Sequence, residues 1–243
     1  MDRLVTATFL ASDTTVRAGQ GLLLALQLQI APGWYVYWDN PGDSGIPTRV
    51  ELQAPDLELG RVGWPAPTEI PAAGGILNLG HKEQLTLLIP ATVKAGPRGP
   101  LELRGEARWL VCRADQCVPG QATLSLDLER EPGKPRGKKG AAPPAAIAEA
   151  LLALPPEVEA SFKDGELRAR IPASGPLRLY PGFALLDLLP IGSPLPVRSA
   201  AVQGGTELRL SLSGPPSDEA FAVAVLSTSA GPRAFTLVME PPR

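Results

Sequence analysis

The sequence predicts an all-β protein built from two β-sandwich domains, and three observations carry this prediction. Apolar and polar residues alternate along most of the chain, as they do in strands that bury one face. The alternating segments recur about every ten residues between turn-forming clusters, a spacing typical of sandwiches. The chain also has 28 Pro and 25 Gly, which favours many turns and short strands over long helices.

The strands of the first domain follow from this alternation. In the segment LLLALQLQI, alternate leucines and Ile30 lie on one side, with Gln27 and Gln29 on the other. The segments QLTLLIP and LELRGEARWLVC repeat the pattern. We therefore expect these three segments to be strands that share one apolar core.

The chain divides at EREPGKPRGKKGAAPPAA, residues 129–146, whose Pro, Gly and Lys content is typical of a linker. The next segment, AIAEALLALP, predicts one short helix that ends at Pro155 and Pro156. Beyond it, GELRARIP, TELRLSLSG, FAVAVLSTS and AFTLVME predict the strands of a second sandwich. The expected regions are a first domain over 1–130, a linker with the helix over 131–155, and a second domain over 156–243.

The composition argues against several classes of protein. A formal net charge of −2 gives no basic surface for nucleic acid, so no nucleic-acid partner is expected. The most apolar run, GLLLALQLQIA, is interrupted by glutamines well short of the ~20 residues that span a bilayer. The first residues lack the basic start and apolar block of a secretory signal.

Both cysteines of the chain lie in the segment WLVCRADQCVPG. With RADQ as a four-residue hairpin loop, Cys112 faces Cys117 and every core residue meets a core residue: Val111 with Val118, Ala107 with Ala122, Leu103 with Leu126, and Leu101 with Leu128. A slip of one residue destroys this match. Opposed Cα atoms of an antiparallel pair lie about 4.5–5.5 Å apart, which a disulfide bridges. Both sulfurs are expected on the face away from the core, within reach of a partner thiol.

The residues alone leave three interpretations of this pair open: a redox-active disulfide, a structural disulfide and half of a metal site. A bridge across so short a loop stabilises a protein by only about 2 kcal/mol in the chain-entropy model. A metal site needs two further ligands, and the chain has one histidine, His81, and no second cysteine pair. No metal site is therefore expected.

Three segments together resemble the N-terminal periplasmic domain of the thiol:disulfide interchange protein DsbD family, in particular its ScsB-like branch. They are, in order, APGWYVYWDNPGDSGIPTRVEL, WPAPTEIPAAGGILNLGHKEQLTLLIP and WLVCRADQCVPGQATLSL. The resemblance implies an immunoglobulin-like fold and protein-disulfide reductase activity that needs no cofactor besides the cysteines. It also implies a periplasmic location, with tethering to the inner membrane through the membrane part of a full-length protein.

The resemblance further implies the partners and the site. Electrons come from a thioredoxin-like domain or protein and pass to periplasmic thiol–disulfide oxidoreductases. Cys112 and Cys117 are the implied redox pair, in which Cys117 forms the mixed disulfide with a partner and Cys112 resolves it. The excised region seen here would lack the membrane part and the thioredoxin-like part.

A shielding loop is implied over residues 72–81, the segment AAGGILNLGH. Gly74 and Gly75 would give this cap its flexibility. Asn78 and Leu79 stand at the cap tip, where DsbD itself has an aromatic residue. Three further side chains are expected to line the site. Tyr35 and Tyr37 share one face of a strand, and His81 belongs to the cap. As a lone histidine beside Lys82, His81 is expected to be exposed in the loop.

Two other functions stay open at this stage. One is a non-catalytic binding or scaffold module of two sandwiches with a structural disulfide. The other is a copper-handling domain, which only the resemblance suggests, because some ScsB-like systems are linked to copper tolerance. Cu(I) favours thiolates and thioethers, but both methionines lie far in sequence from the cysteines. The segment DNPGDSG lacks the ligand spacing of a calcium loop and is expected to be a turn. The basic run 134–139 is expected to be a solvated linker.

Overall fold

The computed structural model describes residues 4–96, 99–133, 142–189 and 197–239. The chain forms two compact units, Met1–Leu154 and Pro155–Arg243. The described regular structure is almost entirely β-strand, with two short α-helices, so the predicted all-β, immunoglobulin-like fold class is confirmed. The basic run of the linker lies outside the described residues.

The described part of the first unit contains eleven strands, one α-helix and a single 3₁₀ turn over Ala73–Gly75. The strands and the helix are β1 (Val5–Ala11), β2 (Thr15–Val16), β3 (Gly21–Ile30), β4 (Tyr35–Gly42), β5 (Arg49–Gln53), β6 (Leu57–Leu59), β7 (Thr68–Pro71), β8 (Leu77–Lys82), β9 (Gln84–Val93), β10 (Leu101–Arg113), β11 (Gln116–Arg130) and α1 (Ala145–Ala153).

These strands form two sheets. One has the order β1-β3-β9-β6, and the other has the order β2-β11-β10-β4-β8-β7, with β5 also paired to β10. Leucines from both sheets form a shared core, in which Leu24 and Leu101 are fully buried. The alternation in β3 is as predicted, because Leu22, Leu24, Leu26, Leu28 and Ile30 are all buried. Burial of one face per strand is thus what joins the two sheets.

The longest hairpin of the molecule, β10–β11, has the predicted register. Cys112 pairs with Cys117, and the four predicted pairs of core residues between Leu101 and Leu128 are also formed. The pairing continues one residue beyond the cysteines, to Arg113 with Gln116, so two residues rather than four form the loop. Two-residue loops are the commonest connections in β-hairpins, which accounts for the tighter end.

Helix α1 packs on the first unit, although the sequence analysis grouped it with the linker. Its Ile147 and Ala150 are buried against Ala25 of β3 and Leu88 of β9. Ile147 is fully buried. The helix ends before Pro155, as the sequence predicts, because a proline restricts the preceding residue to extended backbone.

The described part of the second unit contains seven strands and one short helix. They are β12 (Glu157–Lys163), β13 (Glu166–Ile171), β14 (Leu177–Pro181), α2 (Phe183–Leu186), β15 (Val197–Val202), β16 (Gly205–Ser211), β17 (Phe221–Thr228) and β18 (Gly231–Met239). Hydrogen bonds join all seven strands into one sheet of order β14-β17-β18-β12-β13-β16-β15. Residues from β14 at one end of this sheet and from β16, next to the other end, enter a single apolar core, among them Leu179 and Leu208. The sheet therefore curves around that core.

Within the described ranges, no helix combines the length and the apolar character that crossing a bilayer requires.

Candidate active site at the tip of the cysteine hairpin

The two cysteines form a disulfide between β10 and β11, one ladder pair before the hairpin loop. Their Cα atoms are 4.1 Å apart, and they are the only cysteines of the chain. Beyond them, the Arg113 guanidinium donates a hydrogen bond to the Gln116 side-chain oxygen at 3.1 Å. The same guanidinium lies 4.8 Å from the ring centroid of Trp34. The bridge therefore sits in regular strand structure with a further cross-strand contact at its tip.

The two cysteines differ sharply in exposure. Cys112 is 0% exposed, whereas Cys117 is an exposed residue. The expectation that both sulfurs are accessible is therefore wrong for Cys112. The reason is that other side chains cover the sheet face on which Cys112 lies. Three of them are buried and one is half-buried, and together we call them the cysteine pocket: Tyr35, Tyr37, Ile70 and Leu110.

Two tyrosines of β4 form the polar part of the cysteine pocket. Tyr35 is the ladder partner of Cys112, and Tyr37 lies two residues along on the same strand face. Their rings meet edge to face, with centroids 5.3 Å apart, and their hydroxyl oxygens are 3.3 Å apart. Burial, together with the hydrogen bond to Tyr35, raises the pKa of Tyr37 to about 12. The Tyr37 phenol is therefore protonated at neutral pH.

Asn78 connects these phenols to the neighbouring strand. It lies in β8 and is 2% exposed. Its amide nitrogen donates to the Tyr35 hydroxyl at 3.1 Å, and its amide oxygen accepts from the Ser44 hydroxyl at 2.8 Å. Asn78 is therefore part of the cysteine pocket's hydrogen-bonded support, rather than the tip of a loop as the sequence analysis expected.

The turn after β4 packs directly against Tyr37. Gly45 has φ +96°, and a Cβ atom there would overlap the Tyr37 ring. The turn is tied to β8 because the Leu77 amide donates to the Asp43 carboxylate at 2.8 Å. The sequence analysis expected all of DNPGDSG to be a turn and missed Ser44 and Gly45, whereas residues 39–42 of this segment belong to strand β4. Its two glycines and short polar residues were the available signal, since they permit a close approach of backbone to a ring.

The expected cap is divided between a loop and a strand. Residues 72–76 are exposed and connect β7 to β8, with Gly74 at φ +76° and Gly75 at φ +80° in open space. Residues 77–82 are strand β8, so a single loop over 72–81 is not formed. Leu79 is 6% exposed and therefore buried in that strand. The role of Gly74 and Gly75 as hinges of a lid stays a prediction.

His81 is buried, and the expectation of an exposed loop histidine is wrong. It is 7% exposed and pairs with Val36, which in turn pairs with Val111. These residues occupy the interior face of the sheet, whereas Cys112 and Tyr35 lie on the opposite face. Burial lowers the pKa of His81 to about 4, and its Nε2 atom has no hydrogen-bond partner among the described atoms. His81 is therefore neutral at pH 7 and points away from the sulfurs.

No group of three or more His, Cys, Asp or Glu side chains that would hold a metal ion occurs among the described residues.

The sequence matches the family described as "Thiol:disulfide interchange protein DsbD, N-terminal" over residues 6–129. No curated protein sequence matches the chain. Among solved structures, the chain is similar to the N-terminal periplasmic domain of ScsB from Proteus mirabilis, at 16% identity and a TM-score of 0.49, covering 98% of this chain and 92% of that chain.

It is also similar to the Neisseria meningitidis DsbD N-terminal domain in the reduced form, at 17% identity and a TM-score of 0.34. That match covers 51% of this chain and 83% of the other. The family match includes the cysteine hairpin as far as Glu129 and every residue of the cysteine pocket. The chain therefore belongs to the DsbD N-terminal domain family, a family of periplasmic thiol–disulfide interchange domains.

Proposed function

We propose that this domain relays electrons through the Cys112–Cys117 pair. In this proposal a thioredoxin-like domain or protein is the donor, and periplasmic thiol–disulfide oxidoreductases are the acceptors. The donor is itself reduced through the membrane part of a full-length protein, which tethers the domain to the inner membrane. The cysteines are the only redox group that the reaction requires. Family membership supports the exchange chemistry, and the site supports the division of roles between the sulfurs.

The observation that carries the proposal is the unequal exposure of the disulfide. An incoming thiolate reaches the exposed Cys117, not the fully buried Cys112. Attack there joins the partner sulfur to Cys117 and breaks the intramolecular bond, so that the electron pair leaves on Cys112. In the electron-donating direction, the Cys117 thiolate attacks the partner disulfide, and Cys112 then resolves the mixed disulfide. The geometry thus supports Cys117 as the cysteine that forms the mixed disulfide with the partner.

The Cys112→Ser variant is expected to trap a covalent complex with an oxidised thioredoxin-fold oxidoreductase. Its Cys117 can form the mixed disulfide, and no second thiol remains to resolve it. The matched control is Cys117→Ser, whose remaining thiol is buried and is expected not to be trapped. Non-reducing electrophoresis and mass spectrometry of the complex measure both. Trapping by Cys117→Ser alone would contradict the assignment of roles.

A structural disulfide in a non-catalytic binding module is the second candidate, and the complete burial of Cys112 favours it. The reduction potential separates the two functions. A structural bridge is expected below about −300 mV, whereas exchange with thioredoxin-fold carriers needs a value near theirs, roughly −120 mV for DsbA to −270 mV for thioredoxin. Equilibration of the wild-type domain in glutathione or dithiothreitol buffers, with the thiols counted after acid quenching, gives this potential.

A further inference from the structure

Two large apolar side chains are exposed beside the cysteine pocket. Ile46 is 60% exposed and Ile76 is 38% exposed. Apolar residues that are exposed singly are common on protein surfaces, so exposure alone does not indicate a function. The other large apolar side chains that are exposed among the described residues belong to β6, α1 and α2. Ile46 and Ile76 differ from these because their two segments adjoin each other and the cysteine pocket.

Hydrogen bonds hold the two segments together. Ile46 lies three residues after Asp43, and Ile76 immediately precedes Leu77. The Asp43 amide donates to the Leu77 carbonyl at 3.0 Å, and the Leu77 amide donates to the Asp43 carboxylate at 2.8 Å. The two exposed side chains are therefore carried by neighbouring pieces of backbone, and we call them the isoleucine pair.

Both members of the isoleucine pair are carried by fixed backbone. The turn before Ile46 packs on the Tyr37 ring, and beyond Ile46 the Thr48 hydroxyl donates to the Tyr37 carbonyl at 2.8 Å. The Ile76 carbonyl accepts from the Ala72 amide at 2.8 Å. A β-branched side chain is also stiff about its first torsion. Little conformational freedom is therefore lost when another protein covers these side chains.

The isoleucine pair lies within reach of a protein that is bound at Cys117. Strand β4 is the second strand from β11 in the sheet, and Tyr37 lies two residues beyond the partner of Cys112. At the usual strand spacing and rise, Tyr37 is therefore about 12 Å from Cys117. A contact between two proteins buries about 600–800 Å² of each, a disc with a radius of about 14–16 Å. A disc centred on Cys117 therefore extends to Tyr37 and the turn that packs on it.

We propose that the isoleucine pair is the apolar docking surface for the thioredoxin-fold protein whose sulfur bonds to Cys117. Apolar side chains around the reactive cysteine of that protein pack against Ile46 and Ile76. Loss of water from these surfaces stabilises the complex before the sulfurs react. The position of the pair selects this occupant, because a protein whose sulfur bonds to Cys117 lies over the cysteine pocket beside it. The inference rests on the proposed function, since it states where the partner of the same exchange reaction binds.

The test compares a protein thiol with a small thiol. Reduced thioredoxin and dithiothreitol both open disulfides, but only thioredoxin has a surface that can dock. Ile46→Ser is expected to lower the second-order rate constant with thioredoxin about fivefold, and Ile76→Ser, at a less exposed position, about threefold. The double variant is expected to lose about fifteenfold, the product of the two effects. All three variants are expected to react with dithiothreitol at the wild-type rate.

The matched control is Leu59→Ser. Leu59 is 39% exposed, as is nearly the case for Ile76, and it lies in β6 of the other sheet. This variant is expected to react with both thiols at the wild-type rate. Urea unfolding of each variant measures whether the folded state is kept. If Ile46→Ser does not fold, Ile46→Thr, which keeps the β-branched shape, takes its place.

A second measurement locates the contact in the trapped complex. The Cys112→Ser variant joined through Cys117 to thioredoxin is compared with the same variant joined to glutathione, which is too small to cover the isoleucine pair. Amide hydrogen exchange over residues 43–48 and 72–76 is expected to slow severalfold in the thioredoxin complex and not in the glutathione adduct. Equal exchange in the two adducts over both segments would contradict the inference.

The rate measurements overturn the inference if the double variant reacts with thioredoxin at the wild-type rate, or if it loses as much with dithiothreitol. Equal losses for Leu59→Ser and Ile76→Ser also overturn it. A second copy of this chain as the occupant would give a wild-type dimer that the double variant loses, with unchanged thioredoxin rates. Failure of the proposed function has a different signature, because thioredoxin then does not open the wild-type disulfide at all.

Discussion

Replacing Gly45 by alanine is expected to reduce the free energy of unfolding of the first unit by about 3–5 kcal/mol. Two costs combine. The backbone at φ +96° is strained for any residue with a Cβ atom, and that atom would overlap the Tyr37 ring. The ring is 2% exposed and packed against Cys112, so it has no free space to move into. Urea unfolding followed by tryptophan fluorescence measures the change, because all four tryptophans lie in the first unit.

The matched control is Gly33→Ala. Gly33 also has a positive φ, +80°, but no atom lies within 4 Å of the position of its Cβ. Its substitution therefore carries only the backbone strain, roughly 1–2 kcal/mol. Equal destabilisation by the two variants would show that the turn after β4 does not hold the Tyr37 ring in place.

Acid is expected to destabilise the first unit through His81. Burial lowers the pKa of His81 from 6.5 to about 4 in the folded protein. Between these values the unfolded chain binds the proton and the folded protein does not, so stability falls as pH falls. The expected loss from this group is about 2 kcal/mol by pH 5 and about 3 kcal/mol by pH 4, with none above about pH 7.5.

His81→Leu is expected to abolish this component. At neutral pH the substitution is expected to be nearly neutral or stabilising, because Nε2 has no hydrogen-bond partner among the described atoms and a buried polar atom without one is unfavourable. Urea unfolding at a series of pH values, again by fluorescence, gives the two curves. Thr86→Val is the control, since it changes a buried polar residue that does not titrate. A His81→Leu curve parallel to that of the wild type would refute the assignment.

The cysteine hairpin was predictable because the pattern that determines its register lies in two segments that are adjacent in the sequence. Alternation along two adjacent segments fixes which residues face the core, and only one register matches core with core. The same pattern could not show that Cys112 is buried. Alternation assigns Cys112 to a face of the sheet, but Tyr37 and Ile70, which cover that face, come from β4 and β7, far away in sequence.

The region 72–81 was predicted less well for a related reason. Its two adjacent glycines indicated a loop, and the loop exists at 72–76. The alternation of Leu77, Leu79 and His81 was the signal for strand β8, and it also places the histidine on the interior face. The pairing of Ser44 with Asn78 had no sequence signal, even though the turn that holds Ser44 did, since the hydrogen bond joins two segments that meet only after the sheet forms.

The pairing of Arg113 with Gln116 beyond the cysteines has a consequence for the reduced protein. The backbone ladder on both sides holds the two strands in register without help from sulfur. When the disulfide is cleaved, the paired strands therefore still hold the two thiols next to each other. While Cys117 is bonded to a partner, the Cys112 thiol faces that mixed disulfide at an effective molarity far above that of any free thiol. In the proposed relay, release of a bound partner is then an intramolecular reaction, and the covalent intermediate is expected to be short-lived.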